Sequence, residues 1–311
     1  MIVVLIAALY AHTGSMPPLV VVESSSMVHD SDGEVGSIDA GDLVLVHKSS
    51  FENIVTFAEA TDPLNPYYGH EAHGMEGDVV IYKKNGETST PIIHRAILRV
   101  VPNEAYPPSS NGTCPEEASF DSEWIIDGTR GACVLTWDVP GTSVVNQPSI
   151  SIQFDGIDAG YYDCERFAHA GVEAHLVVHD WVPKHSGLLT LGDANKCSVD
   201  QGAGAVNGSS GLRTLDGSVL GPVQESWLVG RAGGEIPWLG AVKLMVSGSG
   251  PGLEYVPGSS LMYLFACIGG ILVFPMVADP LIRRIFSTSP ENIQAQQEKA
   301  LLVALGVDEE E

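Results

Sequence analysis

A serine, a histidine and two aspartates occur along this chain in an order that suits nucleophilic catalysis. Ser26 lies in the run Ser24-Ser25-Ser26-Met27, directly after an apolar N-terminal segment. A serine hydroxyl is a poor nucleophile at neutral pH, so it needs a positioned base and an acid that orients that base. Residues of both types occur downstream, and Ser26 is therefore the candidate nucleophile.

The candidate base is His94, in the β-branched run Ile92-Ile93-His94-Arg95. Imidazole titrates near pH 7 and can accept a hydroxyl proton. Two carboxylates, Asp193 and Asp200, come after the apolar run Leu189–Leu191. Either could hold the imidazole in its useful tautomer and stabilise the imidazolium. Taken singly, a strand histidine and loop aspartates are more often structural, since Asp favours turns.

The elements that must position these residues are short β-rich runs, separated by Gly, Pro, Asn and Asp at turn positions. The clearest runs are Asp42–His47, Gly77–Tyr82, Pro91–Val101 and Gly187–Leu191. This pattern predicts a mainly β fold with an antiparallel sheet or barrel, because a parallel α/β fold would need alternating long helices.

We divide the body of the chain into a catalytic β core and an insertion. Residues 23–101 and 187–255 form the predicted core, and residues 102–186 form a predicted inserted β subdomain with its own strand-like runs. Three cysteines fall in this insertion, and disulfides suit a small external module with little core of its own.

The segment Leu261–Ala278 is an uncharged run of 18 residues, long enough to cross most of a hydrocarbon core as a helix. We predict a transmembrane helix over residues 256–282. Arg283 and Arg284 come directly after it, so the positive-inside rule places residues 283–311 as a cytoplasmic tail. The acidic body would then lie on the external face of the cytoplasmic membrane.

Residues 1–22 are predicted to be an N-terminal membrane anchor. Only the first ten residues form an unbroken apolar block, which is shorter than a full span, and Pro17-Pro18 interrupts the rest of the segment. The first basic residue is Lys48, whereas a cleaved signal peptide begins with positive charge. The sequence leaves open whether this anchor is incomplete or spans fully.

The charge balance limits the classes of partner. Fifteen Lys and Arg residues face 39 Asp and Glu residues, a formal net charge of -24. This charge would repel a phosphate backbone over most of the surface, so we expect no nucleic-acid binding.

The spacing of cysteines and histidines indicates which disulfide and metal sites are possible. Cys114, Cys133, Cys164 and Cys197 could form two disulfides in three alternative pairings, and no two are spaced as a zinc ribbon requires. The histidine pairs His70 with His73 and His175 with His179 have no clear third ligand nearby. We therefore predict no metal and no cofactor.

Five sequence boxes, in one order, resemble those of the type I signal peptidases of the archaeal and endoplasmic-reticulum branch. The matches cover nearly the whole chain. Two features depart from the family pattern. Ala194 stands where the family has the first of two asparagines, and the spacing between the His and Asp boxes is longer, which the predicted insertion explains. The boxes are Ser24-Ser25-Ser26-Met27, Gly41-Asp42 with Gly77-Asp78, Ile93-His94-Arg95, Gly192-Asp193-Ala194-Asn195 with Asp200-Gln201, and Gly230-Arg231-Ala232 with Pro237.

The resemblance implies a role for each site residue. Ser26 is the nucleophile, His94 is the general base and then the general acid, and Asp200 is the orienting carboxylate. Asp193 becomes a supporting acid, although the residues alone leave the reverse assignment open. The Ser26 backbone N–H and the Ser24 hydroxyl are the candidate oxyanion donors, because such donors must point at the developing negative oxygen.

A lysine base is the alternative, since the bacterial branch of the family uses one. Lys48, Lys83 and Lys84 lie near the predicted strands, but each is at a position typical of a solvated strand end. A lysine base must be desolvated to lose its charge near pH 7. His94 therefore remains the predicted base.

The expected function is a membrane-bound serine endopeptidase that removes signal peptides from exported preproteins, with small residues at P1 and P3. Its expected partners are those signal peptides, the lipid bilayer and the protein-export channel. Two alternatives remain: a processing protease restricted to particular surface precursors, and a noncatalytic membrane-tethered β ectodomain that binds partners.

Overall fold

The computed structural model is mainly β and antiparallel, which confirms the predicted fold class at that level. It describes residues 2–28, 36–165, 175–195, 197–202, 212, 214–247, 252–287 and 290–305. The strands are β1 Leu19–Val21, β2 Leu43–His47, β3 Glu71–Ala72, β4 Met75–Glu76, β5 Val79–Tyr82, β6 Ile92–Tyr106, β7 Ser119–Ile126, β8 Thr129–Asp138, β9 Ile150–Gln153, β10 Val177–Trp181, β11 Gly187–Leu191 and β12 Leu228–Ile236. The α-helices are α1 Ile2–Thr13, α2 Phe57–Thr61, α3 Gly240–Val246, α4 Gly258–Ser287 and α5 Pro290–Ala304.

One eight-stranded sheet carries the fold. Its hydrogen-bonded order is β1-β2-β12-β5-β6-β8-β7, and β11 pairs with β6 beside that path. Strands β3 with β4 and β9 with β10 form two further two-stranded sheets. Strands distant in the chain, such as β2 and β12, are neighbours, so the sheet joins the two predicted halves of the core.

The central strand β5 is buried on both faces, which explains its continuous apolar sequence. Val79 and Ile81 pack in one hydrophobic cluster with β2, while Val80 and Tyr82 pack in another with β11. Side chains alternate between faces along a strand, so the two sets point in opposite directions. A strand in this position holds its neighbours rigidly on both sides.

The segment predicted as an insertion is continuous with the sheet. β6 pairs with β5 and β11 in its first part and with β8 from Val101 onward. The predicted boundary at residue 102 therefore lies inside a strand. A hydrophobic cluster also extends from Trp137 and Phe154 in this segment to Leu189 and Leu191 in β11, so the segment shares a hydrophobic core with the rest of the sheet.

Both disulfides involve the insertion. Cys114 bonds to Cys133, and Cys164 bonds to Cys197. The first pair lies within the insertion, near β7 and β8. The second joins the insertion to the loop after β11. The fifth cysteine, Cys267, is free and exposed in α4.

Two compact units make up the chain, residues 1–260 and residues 261–311. Within the described residues, one helical stretch, Gly258–Pro280, is long and apolar enough to cross a membrane. Its side chains are almost wholly exposed within the protein, as expected for a helix that faces lipid rather than a protein core. The N-terminal apolar helix, Val3–Thr13, is shorter than a span.

A buried carboxylic acid lies at the end of β12. Glu235 accepts a hydrogen bond from the Gly36 N–H at 2.5 Å, and its side chain is only 7% exposed. Burial, and then the charge of Asp42, raise the pKa of Glu235 to about 7 from its usual 4.5, although the Gly36 N–H opposes this. The folded protein thus holds a proton that the unfolded chain releases between these pH values.

Glu235 should make the fold less stable as pH rises from about 4.5 to about 7, because only the unfolded state ionises freely in that window. Compared with Glu235→Gln, the wild type should lose about 1–2 kcal/mol between pH 5 and pH 8, after allowance for solvent screening. Denaturant unfolding at both pH values measures this difference. Parallel behaviour of the two proteins would contradict it, and Glu116→Gln, at an exposed site, is the control.

Candidate active site

Ser26, His94 and Asp200 form one hydrogen-bonded chain. His94 Nε2 lies 2.9 Å from Ser26 Oγ, and His94 Nδ1 lies 2.6 Å from Asp200 Oδ2. His94 and Asp200 are buried, whereas Ser26 is half-buried. With Nδ1–H donated to the carboxylate, Nε2 is left as an acceptor for the serine hydroxyl. This is the arrangement that a serine nucleophile and a histidine base require.

Two further hydroxyls hold the Asp200 carboxylate. Tyr82 OH donates to Asp200 Oδ2 at 2.8 Å, and Thr190 Oγ1 donates to the same oxygen at 2.7 Å. Burial, and then the Asp200 charge, raise the pKa of Tyr82 well above its usual 10, so its hydroxyl remains a donor. Gln201 Nε2 in turn donates to Thr190 Oγ1 at 3.2 Å. Asp200 is thus an acceptor with a fixed orientation.

Strand register brings these donors together. Tyr82 pairs with Ile92, and Thr190 pairs with Ala96. Directly paired residues share a face of the sheet, as do residues two apart on one strand. Tyr82, Thr190 and His94 therefore point to the same face, where the Asp200 carboxylate meets all three.

Asp193 has a different partner. Arg95, the residue after His94, points to the opposite face and donates from Nη2 to Asp193 Oδ2 at 2.6 Å and from Nε to Oδ1 at 2.9 Å. Both side chains are fully buried. Burial alone would lower the pKa of Arg95, but the Asp193 carboxylate outweighs it and raises that pKa. The carboxylate at His94 is that of Asp200, and Asp193 forms an internal ion pair.

Arg95 also holds the chain before β5. Its Nη1 donates to the backbone oxygens of Ala72 and Gly77, both at 2.8 Å. A guanidinium has five N–H donors in a fixed fork, so it can bind a carboxylate and several carbonyls at once. The ion pair thereby connects the loop after β11 to the segment that enters β5.

The loop that starts at Gly192 packs directly on the nucleophile. The Ala194 N–H donates to the Ser26 backbone oxygen at 2.8 Å. A side chain at position 192 would bring its Cβ within 2.7 Å of the Ser26 oxygen and 2.8 Å of His94 Nε2. Only glycine allows the loop to approach so closely.

Two clefts flank Ser26. The first, of about 290 Å³, has apolar walls from the end of β1 and the start of β6, including Val22 and Ile93. The second, of about 510 Å³, is lined by Ala194 and Asn195. Tyr255 borders both clefts and is about half exposed. An extended chain could therefore pass across the serine with a different wall on each side.

Ser24 is the other predicted oxyanion donor, and its Oγ lies 3.2 Å from Ser26 Oγ. It is exposed and borders both clefts. A hydroxyl this close to the nucleophile can reach an oxygen that develops negative charge beside it. The Ser26 N–H is the second predicted donor.

The alternative bases and ligands have other environments. Lys48 and Lys83 are exposed, and Lys84 borders the apolar cleft, but the nitrogen in contact with Ser26 Oγ belongs to His94. His70 binds Asp78 at 2.9 Å. Within the described ranges, no group of three or more His, Cys, Asp or Glu side chains is arranged to hold a metal ion.

Sequence reasoning missed Tyr82, Thr190 and Arg95 as parts of the site. Each has a signal in hindsight, because each is a polar side chain in a run of sequence that predicts a buried strand. A buried polar side chain in such a run needs a hydrogen-bond partner. The sequence does not identify that partner, which lies 118 residues away for the Tyr82–Asp200 contact and 98 residues away for the Arg95–Asp193 contact.

In comparisons with known proteins, no family model, curated protein or solved structure matches this chain.

Replacing Asp193 should act on stability, because it leaves the Arg95 guanidinium buried without its counter-charge. We expect Asp193→Ala to lower the free energy of unfolding by about 3–5 kcal/mol, as for other broken buried ion pairs. Chemical denaturation measures this, with the exposed Glu116→Gln as control. A loss no greater than in the control would show that the ion pair is dispensable.

Replacing Gly192 should act on the nucleophile, because the added Cβ collides with both Ser26 and His94. We expect Gly192→Ala to slow covalent labelling of Ser26 by a fluorophosphonate about 100-fold, as for a displacement of about 1 Å in a catalytic group. Gly234→Ala is the matched control, since its Cβ would meet only ordinary contact at 3.8 Å. Equal labelling rates in the two variants would refute the steric argument.

Proposed function

We propose that this protein is a membrane-bound serine endopeptidase that removes signal peptides from exported preproteins. The observation that carries the proposal is the hydrogen-bonded chain from Ser26 through His94 to Asp200, with contacts of 2.9 and 2.6 Å. The five sequence boxes, which resemble those of type I signal peptidases, supply the reaction class. On this proposal the antiparallel sheet is a signal-peptidase-like catalytic core.

The chemistry would be acyl transfer. Ser26 Oγ attacks the scissile carbonyl carbon while His94 Nε2 takes the hydroxyl proton, and Asp200 stabilises the imidazolium that results. The carbonyl oxygen becomes an oxyanion, which the Ser26 N–H and the Ser24 hydroxyl would stabilise. His94 then protonates the leaving amine. In the deacylation step that follows, His94 activates the water that hydrolyses the Ser26 ester.

The substrate would bind as an extended strand. β1 is at one edge of the sheet, and the first residues of β6 precede its pairing with β11. The cleft between them ends at Ser26 and has the apolar lining that side chains of a strand require. A peptide that adds to a strand edge gains main-chain hydrogen bonds, while pockets select alternate side chains.

Membrane attachment fits this substrate. Residues Gly258–Pro280 can span a bilayer by length and composition, and Arg283 and Arg284 would retain the tail in the cytoplasm. The catalytic unit would then act on the external face of the cytoplasmic membrane. There it would meet preproteins as they leave the protein-export channel.

Helix α3, with Leu239 directly before it, would add an interfacial contact. Ala241 and Leu244 of α3 are buried, whereas Leu239 and Val242 are partly exposed and Val246 is largely exposed. An exposed apolar face on a short helix is suited to the lipid interface. Burial of one face explains the packing of this segment, and exposure of the other supports a role at the membrane surface.

Cleavage of a model preprotein with an Ala-x-Ala site tests the proposal. Membranes that contain the wild type should cleave after the second Ala, as N-terminal sequencing of the product would show. Ser26→Ala and His94→Ala should abolish cleavage, and Asp200→Asn should lower kcat about 10⁴-fold, because the imidazole loses its orienting carboxylate. Ser25→Ala is the matched control, since Ser25 neighbours the nucleophile while the hydroxyl in contact with His94 belongs to Ser26.

The outcomes separate the candidate functions. Full activity of Ser26→Ala would refute the mechanism. Inactivity of the folded wild type on every substrate would favour the noncatalytic ectodomain. A substrate panel that differs only at P1 and P3 distinguishes a general signal peptidase from a protease restricted to particular surface precursors.

A further inference from the structure

We propose that the Cys164–Cys197 disulfide positions the Asp200 carboxylate, so that the inserted segment is a working part of the catalytic centre. The inference rests on the proposed protease function. It assigns Cys197 and Cys164 as positioning residues, which act on the reaction through Asp200.

The loop after β11, described for residues 192–195 and 197–202, makes three contacts of the candidate site. It holds Gly192 against Ser26 and His94, Asp193 against Arg95, and Asp200 against His94. Cys197 lies three residues before Asp200 in this loop and is 1% exposed. Cys197 is therefore connected to Asp200 by a short stretch of backbone.

The backbone of this loop is held at Asp200, whose N–H donates to the Thr190 oxygen at 2.8 Å and whose oxygen accepts from the Leu212 N–H at 2.7 Å. Before Asp200 it is closed by single turns, from the Asn195 N–H to the Gly192 oxygen and from the Ser198 N–H to the Asn195 oxygen. Cys197 itself has a φ of 53°, in the left-handed region that non-glycine residues rarely adopt. Such a conformation costs about 1–3 kcal/mol and persists only where the surroundings enforce it. The disulfide is a covalent restraint at that same residue.

The other end of the bond is anchored in a rigid core. Cys164 is fully buried and belongs to the hydrophobic cluster that includes Phe154 and Tyr162 of the insertion. The same cluster includes Cys197 and Val199 of the catalytic loop. The insertion therefore contacts the loop by packing as well as by the disulfide.

The second disulfide provides a comparison inside the same chain. Cys114–Cys133 closes a loop of 19 residues within the insertion, whereas Cys164–Cys197 spans 33 residues and connects the insertion to the catalytic loop. Both should stabilise the fold by a similar amount, since loop-closure entropy changes slowly with length. Only the second should affect the chemical step.

The experiment compares Cys164→Ser/Cys197→Ser with Cys114→Ser/Cys133→Ser in steady-state cleavage of the model preprotein. We expect the first variant to lose about 100-fold in kcat with KM within about twofold, because a catalytic group displaced by about 1 Å costs this much. The second variant should retain wild-type kcat. A merely structural role would affect both variants alike, through the fraction of folded enzyme.

An Asp200→Asn background provides the readout specific to positioning. If the disulfide acts through this carboxylate, its removal should change the single-turnover rate of Asp200→Asn less than about threefold, because the two effects are not additive. A further 100-fold loss in that background would overturn the inference, as would full kcat in Cys164→Ser/Cys197→Ser.

A second measurement covers failure of that variant to fold. Folded Cys114→Ser/Cys133→Ser protein, which keeps only the Cys164–Cys197 bond, is treated with a water-soluble phosphine. Phosphine and one water convert the disulfide to two thiols and a phosphine oxide. Activity should fall about 100-fold while far-ultraviolet circular dichroism is unchanged, and unaltered activity after full reduction would refute the inference. Wild-type cleavage that Ser26→Ala abolishes tests the protease function separately.

Discussion

The site depends on one constraint of β geometry: His94 and Arg95 are neighbours on a buried strand and must point to opposite faces of the sheet. Each is a polar group that needs a partner when buried. His94 meets Asp200 on one face, and Arg95 meets Asp193 on the other. A single loop supplies both carboxylates, so it must pass from one face to the other within seven residues. The start of this loop also packs on Ser26 and His94 so closely that a Cβ at position 192 would collide with both, which explains the glycine there.

The two carboxylates are buried in different ways, and this difference separates their roles. Asp193 faces a permanent cation, and a bidentate contact of this kind is stable but chemically inert. Asp200 faces an imidazole and two hydroxyls, none of which is a permanent cation. Such a carboxylate can stabilise an imidazolium when the imidazole takes up a proton, which is what a triad requires of it.

The segment predicted as an insertion and the predicted catalytic core form one packed body. β6 belongs to both, the largest hydrophobic cluster extends across both, and a disulfide joins them at the loop after β11. Packed interiors transmit displacement because they contain few voids. The position of Asp200 thus depends on residues far outside the sequence boxes. The clefts beside Ser26 are lined instead by the end of β1, the start of β6 and Tyr255.

The sequence by itself determined the chemical types and their order: a serine after an apolar segment, a histidine within a β-branched run, aspartates after another such run, and an uncharged helix long enough to cross a membrane. These are local properties, read from periodicity, composition and motif. The choice between Asp193 and Asp200, the disulfide pairing, the strand continuous through residue 102, and the contacts of Tyr82, Thr190 and Arg95 were decided only by the tertiary structure. Each of these joins segments distant in the chain, and their proximity depends on strand register and on which face a side chain occupies, which a shift of one residue would reverse.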